Sequence, residues 1–147
     1  MLFQINKNKL KNNKTMATAN LNNEPVQVVN GNDNVVIVDN FQSVRGGRTL
    51  DVAGYPAGII NAGHVIIRET ATGEYKPMPL NESGDAYAAL PASHTYAGIL
   101  VASITTAKPF AGIMVRGTVN PAAAPFPMDT IMAAVKAALP LIDFRED

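Results

Sequence analysis

The stretch TYAGILVASITTAKPFAGIMVRGTVN, residues 95–120, decides how this chain is read, because Ala-Gly-Ile stands at 97–99 and again at 111–113. Each copy opens a short aliphatic and β-branched run, ILVASI and IMVRGTV, bounded by turn residues, so both are expected to be strands. Pro109 has no N–H to give to a ladder, which places the break between them in TTAKPF. Further Ala-Gly pairs stand at 57–58 and 62–63. Their spacing is too uneven for a solenoid repeat. A phosphate-cradling loop would run into a helix N-terminus, where backbone N–H groups converge on the anion, and here strands follow instead. The pairs are therefore read structurally: Gly lets the chain bend into each strand, and Ala is small enough to sit under a neighbour.

Working outward, HVIIRETATGEYKPM (64–78) is the clearest hairpin. Val65, Ile66 and Ile67 lead into ETATGE and the chain returns through Tyr75, Lys76 and Pro77, with Gly73 where a residue of positive φ closes the turn. Residues 79–94 read as a surface loop. Upstream, VQVV (26–29) and VVIVD (35–39) flank the turn cluster NGNDN (30–34) and are expected to pair, although the loop is longer than a two-residue hairpin. SVRGGRTLDV (43–52) breaks at Gly46-Gly47, and GYPAG (54–58) is another turn. Downstream, the prolines of NPAAAPFP (120–127) keep that segment extended. The one helix expected is MDTIMAAVKAAL (128–139), capped by Asp129 or the residues before it, with Ile131, Met132, Val135 and Leu139 on one face. Pro140 ends it, and LIDF (141–144) closes the chain as a short strand. The fold class expected is mainly β with one short C-terminal helix (α+β): a small β-barrel or sandwich over residues 25–147, preceded by a flexible N-terminal arm over 1–24.

At 147 residues the chain fits one domain, long enough to bury roughly two-thirds of its unfolded surface. With no Trp and much Ala, the core should be built from Val, Ile, Leu and Ala. No Cys is present, so neither a disulfide framework nor a Cys-based zinc site holds the fold. The formal net charge of zero hides a split: residues 1–16 carry four Lys and no acid, while residues 17–147 carry 8 basic and 12 acidic side chains. A mildly acidic body argues against nucleic-acid binding, which needs clustered Lys and Arg to neutralise phosphates. The longest mostly apolar stretch, Tyr96 to Ile104, falls far short of the ~20 residues of a membrane span. The start, MLFQINKNKLKNNKTM, lacks the apolar run of a secretory signal and is Asn- and Lys-rich, so disorder is expected there. Met16 opens MATANLNN like an ordinary protein start, so residues 1–15 are read as a misannotated upstream start; the alternative is a basic tail that touches nucleic acid.

Catalytic signatures are weak. His64 and His94 stand in no metal-ligand pattern. Ser93, His94 and Asp85 make a triad only on paper, as the same residue types would in most chains of this composition. Glu69 and Glu74 bracket the hairpin turn and read as solvated loop ends rather than an acid and base pair. Asp33 and Asp39 with Asn30, Asn32 and Asn34 resemble a calcium loop in composition but lack its spaced acidic ligands and closing Glu. Neither enzymatic activity nor a cofactor is expected. Arg116 interrupts the run GIMVRGTV; strand alternation sends it to the face opposite Val115, as a solvent, salt-bridge or subunit-interface residue. Gly117 beside it suggests a bulge.

The order of these features, a hairpin AGHVIIRETATGEYKPM, a loop, YAGILVASI, FAGIMVRGTVN, PAAAPFP, one helix and LIDF, resembles the bacteriophage head decoration proteins of the lambda type over residues 62–147. It is similar also to phage head fibre proteins. The resemblance implies a homotrimer on the outer surface of the virion capsid, made in the host cytoplasm, that binds the major capsid protein and stabilises the expanded shell. In such a protein the N-terminal arm adds a strand to a capsid-protein sheet. VQVV suits that role because backbone groups of an extended segment can pair with an open sheet edge, which makes Val26, Gln27, Val28 and Val29 the capsid-contact candidates and Arg116 the subunit-interface candidate. Residues 25–61 hold more strand-like material than a plain arm needs, so an added β-element is an alternative docking piece. The other readings are a head-fibre anchor on the capsid and, from a different class, a small ligand- or carbohydrate-binding β-module or hydrolase.

Overall fold

The computed structural model describes residues 17, 19, 21, 25 and 27–146. A single helical turn, α1 (Asp33–Val36), runs directly into β1 (Ile37–Ser43), followed by β2 (Arg48–Thr49), β3 (Ile59–Ile60), β4 (Val65–Glu69), β5 (Tyr75–Pro77) and β6 (His94–Leu100). Then come β7 (Ile104–Thr105), β8 (Phe110–Ala111) and β9 (Ile113–Val119), a 3-10 turn over Pro121–Ala123, α2 (Met132–Ala138) and β10 (Ile142–Phe144). The main sheet has the order β1-β9-β6-β4-β5, with β10 added beside β9, and β2-β8 and β3-β7 form two small ribbons.

All pairings are antiparallel except β10 against β9. Strand β9 is shared: Ile113 and Met114 pair with β6, whereas Gly117, Thr118 and Val119 pair with β10, and β1 runs along its other side. The chain is mainly β with one short helix near the C-terminus, as its sequence suggests. The sheet is open, however, not a closed barrel: β1 and β5 are its two edges. Closure would need these edges to pair, and β5 is three residues long and ends on Pro77, which cannot donate to a further strand.

Alternation sends the hydrophobic side chains of this sheet to two cores. Val65, Ile67, Ile99, Met114 and Val119 pack with Ile131, Val135 and Leu139 of the helical segment. Ile66, Leu100 and Ile113 pack with Leu50, Ile60 and Ala111, which belong to or adjoin the ribbons. Strand β4 is therefore covered on both faces, which explains its three consecutive aliphatic residues where a half-exposed strand would alternate. The 64–78 hairpin forms in the expected register, Ile66 opposite Pro77 and Arg68 opposite Tyr75, and Gly73 takes the left-handed conformation that closes it, φ 74°.

Three local expectations fail for identifiable reasons. Of VQVV, the described residues Gln27 to Val29 do not pair with VVIVD, because Val35 and Val36 sit in α1 and the partner of β1 is β9. The polar loop makes its own bonds instead: Asn32 O accepts from the N–H of Val35 and Val36, and the Asp33 carboxylate accepts from Ser103 N at 2.8 Å and Ser103 Oγ at 2.6 Å. Secondly, α2 begins at Met132, with Ile131 at its N-cap and no side-chain cap bond, so Asp129 is an exposed turn residue and not the cap. The apolar face is as expected, with Ile131, Val135 and Leu139 buried. Thirdly, Gly98 lies within β6 rather than bending the chain into it. A Cβ there would collide with the carbonyl oxygen of Met114 and lie 2.6 Å from Cγ2 of Ile113, so this Gly permits close approach of β6 and β9.

Candidate interaction surface

Strand β1 is the long edge of the sheet, and its residues Val38 to Gln42 are all exposed. Its pairing with β9 shifts register between Ile37 and Asp39 and again between Asn40 and Gln42. Val38 and Phe41 are the extra residues of these two bulges. An extra residue breaks alternation and re-aims its side chain, and here both positions hold exposed hydrophobics, Val38 at 45% and Phe41 at 68%. Val35 and Val29, just upstream, are exposed as well. Four apolar side chains thus follow one another from the arm into the edge strand. Surface hydrophobics scattered singly are ordinary, but a series on one open edge is the usual mark of a contact surface.

Of the capsid-contact candidates, Val26 lies outside the described residues. Gln27 and Val29 are exposed and Val28 is half-buried, and the three belong to no strand. Val29 also lines a groove of about 370 Å³ together with Asn32, Asp33, Ile59, Ala62 and Pro125. The sequence signal that placed these residues was the apolar run itself. Val38 and Phe41 were missed because a bulge is a property of two paired strands and leaves no mark in one of them.

Arg116 is exposed and lies opposite Gln42. A third register shift, between Gln42 and Ser43, leaves Val115 as an extra residue on β9. Met114 and Val119 both point into the helix-side core although an odd number of positions separates them, and the missing Cβ of Gly117 points at Met114 Sδ from the same side. The bulge therefore turns Arg116 away from the helix-side core, which strict alternation from Met114 would have made it enter.

Several of the titratable groups have structural partners, whereas one buried oxygen of Glu74 has none. His64 is fully buried, with Tyr55, Tyr87 and Phe126 meeting it edge-on at 5.6, 5.1 and 5.7 Å between ring centres. Its Nε2 donates to the Met78 carbonyl at 3.0 Å, which leaves Nδ1 unprotonated and without a partner. Burial lowers its pKa to about 4, so the ring is neutral at ordinary pH. Burial also pushes the Tyr87 hydroxyl up; its oxygen accepts from Val65 N at 3.1 Å. The paper triad is not assembled, since His94 Nδ1 donates to the Ala92 carbonyl and Asp85 is bonded to Asn81. Glu69 takes a hydrogen bond from Thr72 and pairs with Lys76, which together lower its pKa. Among the described residues, no group of three or more His, Asp or Glu is placed to hold a metal ion, and no helix is long and apolar enough to cross a membrane.

Together these residues form an open β edge that displays Val38 and Phe41, preceded in the chain by the exposed Val29 and Val35. No protein-family model matches this chain, and no curated protein or solved structure matches it.

Proposed function

We propose that this chain is a structural, non-enzymatic virion protein that decorates the outer surface of a phage head, binding the major capsid protein as a homotrimer and stabilising the expanded shell. The observation that carries the reading is the bulged open edge β1, which presents Val38 and Phe41 directly after the exposed Val29 and Val35. Its support from sequence is the order of hairpin, paired Ala-Gly-Ile strands, proline segment, single helix and terminal strand. Gln27 to Val29 belong to no strand of their own chain, which keeps their backbone groups for an edge of the partner's sheet, as in other strand additions. Ordering such a segment costs entropy, and three arms engaging together offset that loss.

Deleting residues 1–28 leaves Asn30 and Asn32, whose carbonyls hold α1, and so preserves the fold. The expected outcome is an intact trimer by light scattering that no longer co-sediments with empty expanded capsids. Undiminished co-sedimentation would refute the arm's role, and failure of the full chain to bind such capsids would refute the decoration reading altogether.

A further inference from the structure

The 64–78 hairpin sorts its charges by face. Arg68 and Tyr75 are directly opposed in the β4–β5 register, and Tyr75 packs on the core that faces the ribbons. Glu69 and Lys76, each one position further along its strand, fall on the other face and pair with one another at 3.2 Å. Arg68 thus lies on the face opposite Glu69. A second arginine joins it from β2: the guanidinium carbon of Arg48 lies 5.6 Å from the centre of the Tyr75 ring, and that of Arg68 lies 5.5 Å from it.

Both guanidinium groups are held before any ligand arrives. Arg48 Nη1 donates to the carbonyls of Arg45 at 2.9 Å and Gly47 at 2.7 Å. Arg68 Nε donates to the Gly73 carbonyl at 3.4 Å. The Tyr75 ring supports both by cation–π attraction. Among the described residues neither arginine has a carboxylate within ion-pair distance. Asp51 approaches through its backbone N–H, which donates to Tyr75 O, while one of its carboxylate oxygens accepts from Ala53 N. Each arginine therefore keeps free N–H groups in a planar fork, the geometry that takes a carboxylate or phosphate oxygen pair.

We propose that Arg48 and Arg68, braced on Tyr75, form a docking site for an acidic segment of a protein partner, one carboxylate to each guanidinium. A body with 8 basic and 12 acidic side chains repels a long polyanion, whereas two carboxylates on a protein surface need no more than these two cations. The chemistry is independent of the capsid reading; only the assignment of the acidic segment to the shell protein rests on it.

The test is a titration of the full ¹⁵N-labelled chain with an end-blocked hexaglutamate peptide at low salt, read on the arginine Nε–H signals. Saturable shifts at Arg48 and Arg68, but not at Arg116, are expected. Arg48→Gln with Arg68→Gln should weaken the peptide roughly tenfold, Tyr75→Phe should retain binding, and Tyr75→Ala should weaken it by a smaller factor than the double arginine variant. Should a glutamine variant misfold, the lysine variants keep the charge and lose the fork, and are expected to bind several-fold more weakly. No shift at the two arginines, or equal shifts at Arg116, would overturn the proposal. So would tighter binding of a hexathymidylate strand through the same residues, which would assign the site to phosphate. No shell is present in this assay, so its failure is distinct from failure to decorate capsids.

Discussion

Strands β4 and β1 belong to one sheet and show opposite solutions to being a strand. In β4, Val65, Ile66 and Ile67 are each at most 1% exposed, because the helix-side core takes two of them and the ribbon-side core the third. In β1, only Ile37 and Ser43, the two end residues, are even half-buried. The first strand is fixed by packing on two faces and two sides. The second is fixed by one neighbour, β9, and its bulges prevent regular pairing even there. Packing is thus concentrated in the middle of the sheet, and the recognition proposed for this chain falls at its edge, so substitutions in the two places should have separable effects.

The largest effect is expected at the seam between β6 and β9. Gly98→Val places methyl groups where the Met114 carbonyl and the Ile113 side chain already stand. Both belong to the neighbouring strand, so relief requires the seam to part. A loss of about 3 kcal/mol or more is expected in urea unfolding, at the upper end of overpacking costs. A midpoint equal to that of the wild type would mean that the two cores do not depend on this close approach.

Next in size is the pH response of the centre. His64 is neutral when folded, with its pKa lowered to about 4 by burial, whereas in the unfolded chain it titrates near 6.5. Its lowered pKa means that the unfolded chain takes up the proton first. The His64 contribution is therefore complete above about pH 6.5 and is lost as pH falls towards 4, by about 3 kcal/mol in all. His64→Phe should remove that part of the slope of stability against pH between 6.5 and 4, even though it leaves the Met78 carbonyl without its donor. Identical slopes for the two proteins would show that the ring is solvated when folded, and would contradict its aromatic enclosure.

What could be read in the sequence follows the same division. The hairpin over 64–78, the strands from the two Ala-Gly-Ile copies and the apolar face Ile131, Val135 and Leu139 are written in local periodicity and turn chemistry, so they were legible. The helix start was misplaced because Asp129 is an acceptable cap by residue type, yet the chain from Met128 to Ile131 forms a turn with Ile131 N donating to Met128 O. The expected pairing with 35–39 is not made by the described residues 27–29, because the Asp33 carboxylate is claimed by Ser103, 70 positions away. Open sheet or closed barrel was undecidable from strand content, since closure depends on whether β1 meets β5. At the candidate site, Val29 announced itself by composition. Val38 and Phe41 became contact candidates only through their register against β9, and the brace of Arg48 and Arg68 on Tyr75 through the meeting of β2 with the hairpin.

The smallest effect on stability is expected at the edge, where the comparison is tested most directly. Phe41 is 68% exposed at a bulge, so Phe41→Ser removes little buried area and should change unfolding free energy by no more than about 0.5 kcal/mol. A side chain kept large, apolar and wet on an unpaired edge does little for the fold of its own chain. On the decoration reading proposed above, the same substitution should reduce co-sedimentation with expanded capsids strongly while the urea midpoint stays as it was. A loss of stability above about 1.5 kcal/mol would instead place Phe41 among the packed residues, and the division between centre and edge would fail at the residue where it is sharpest.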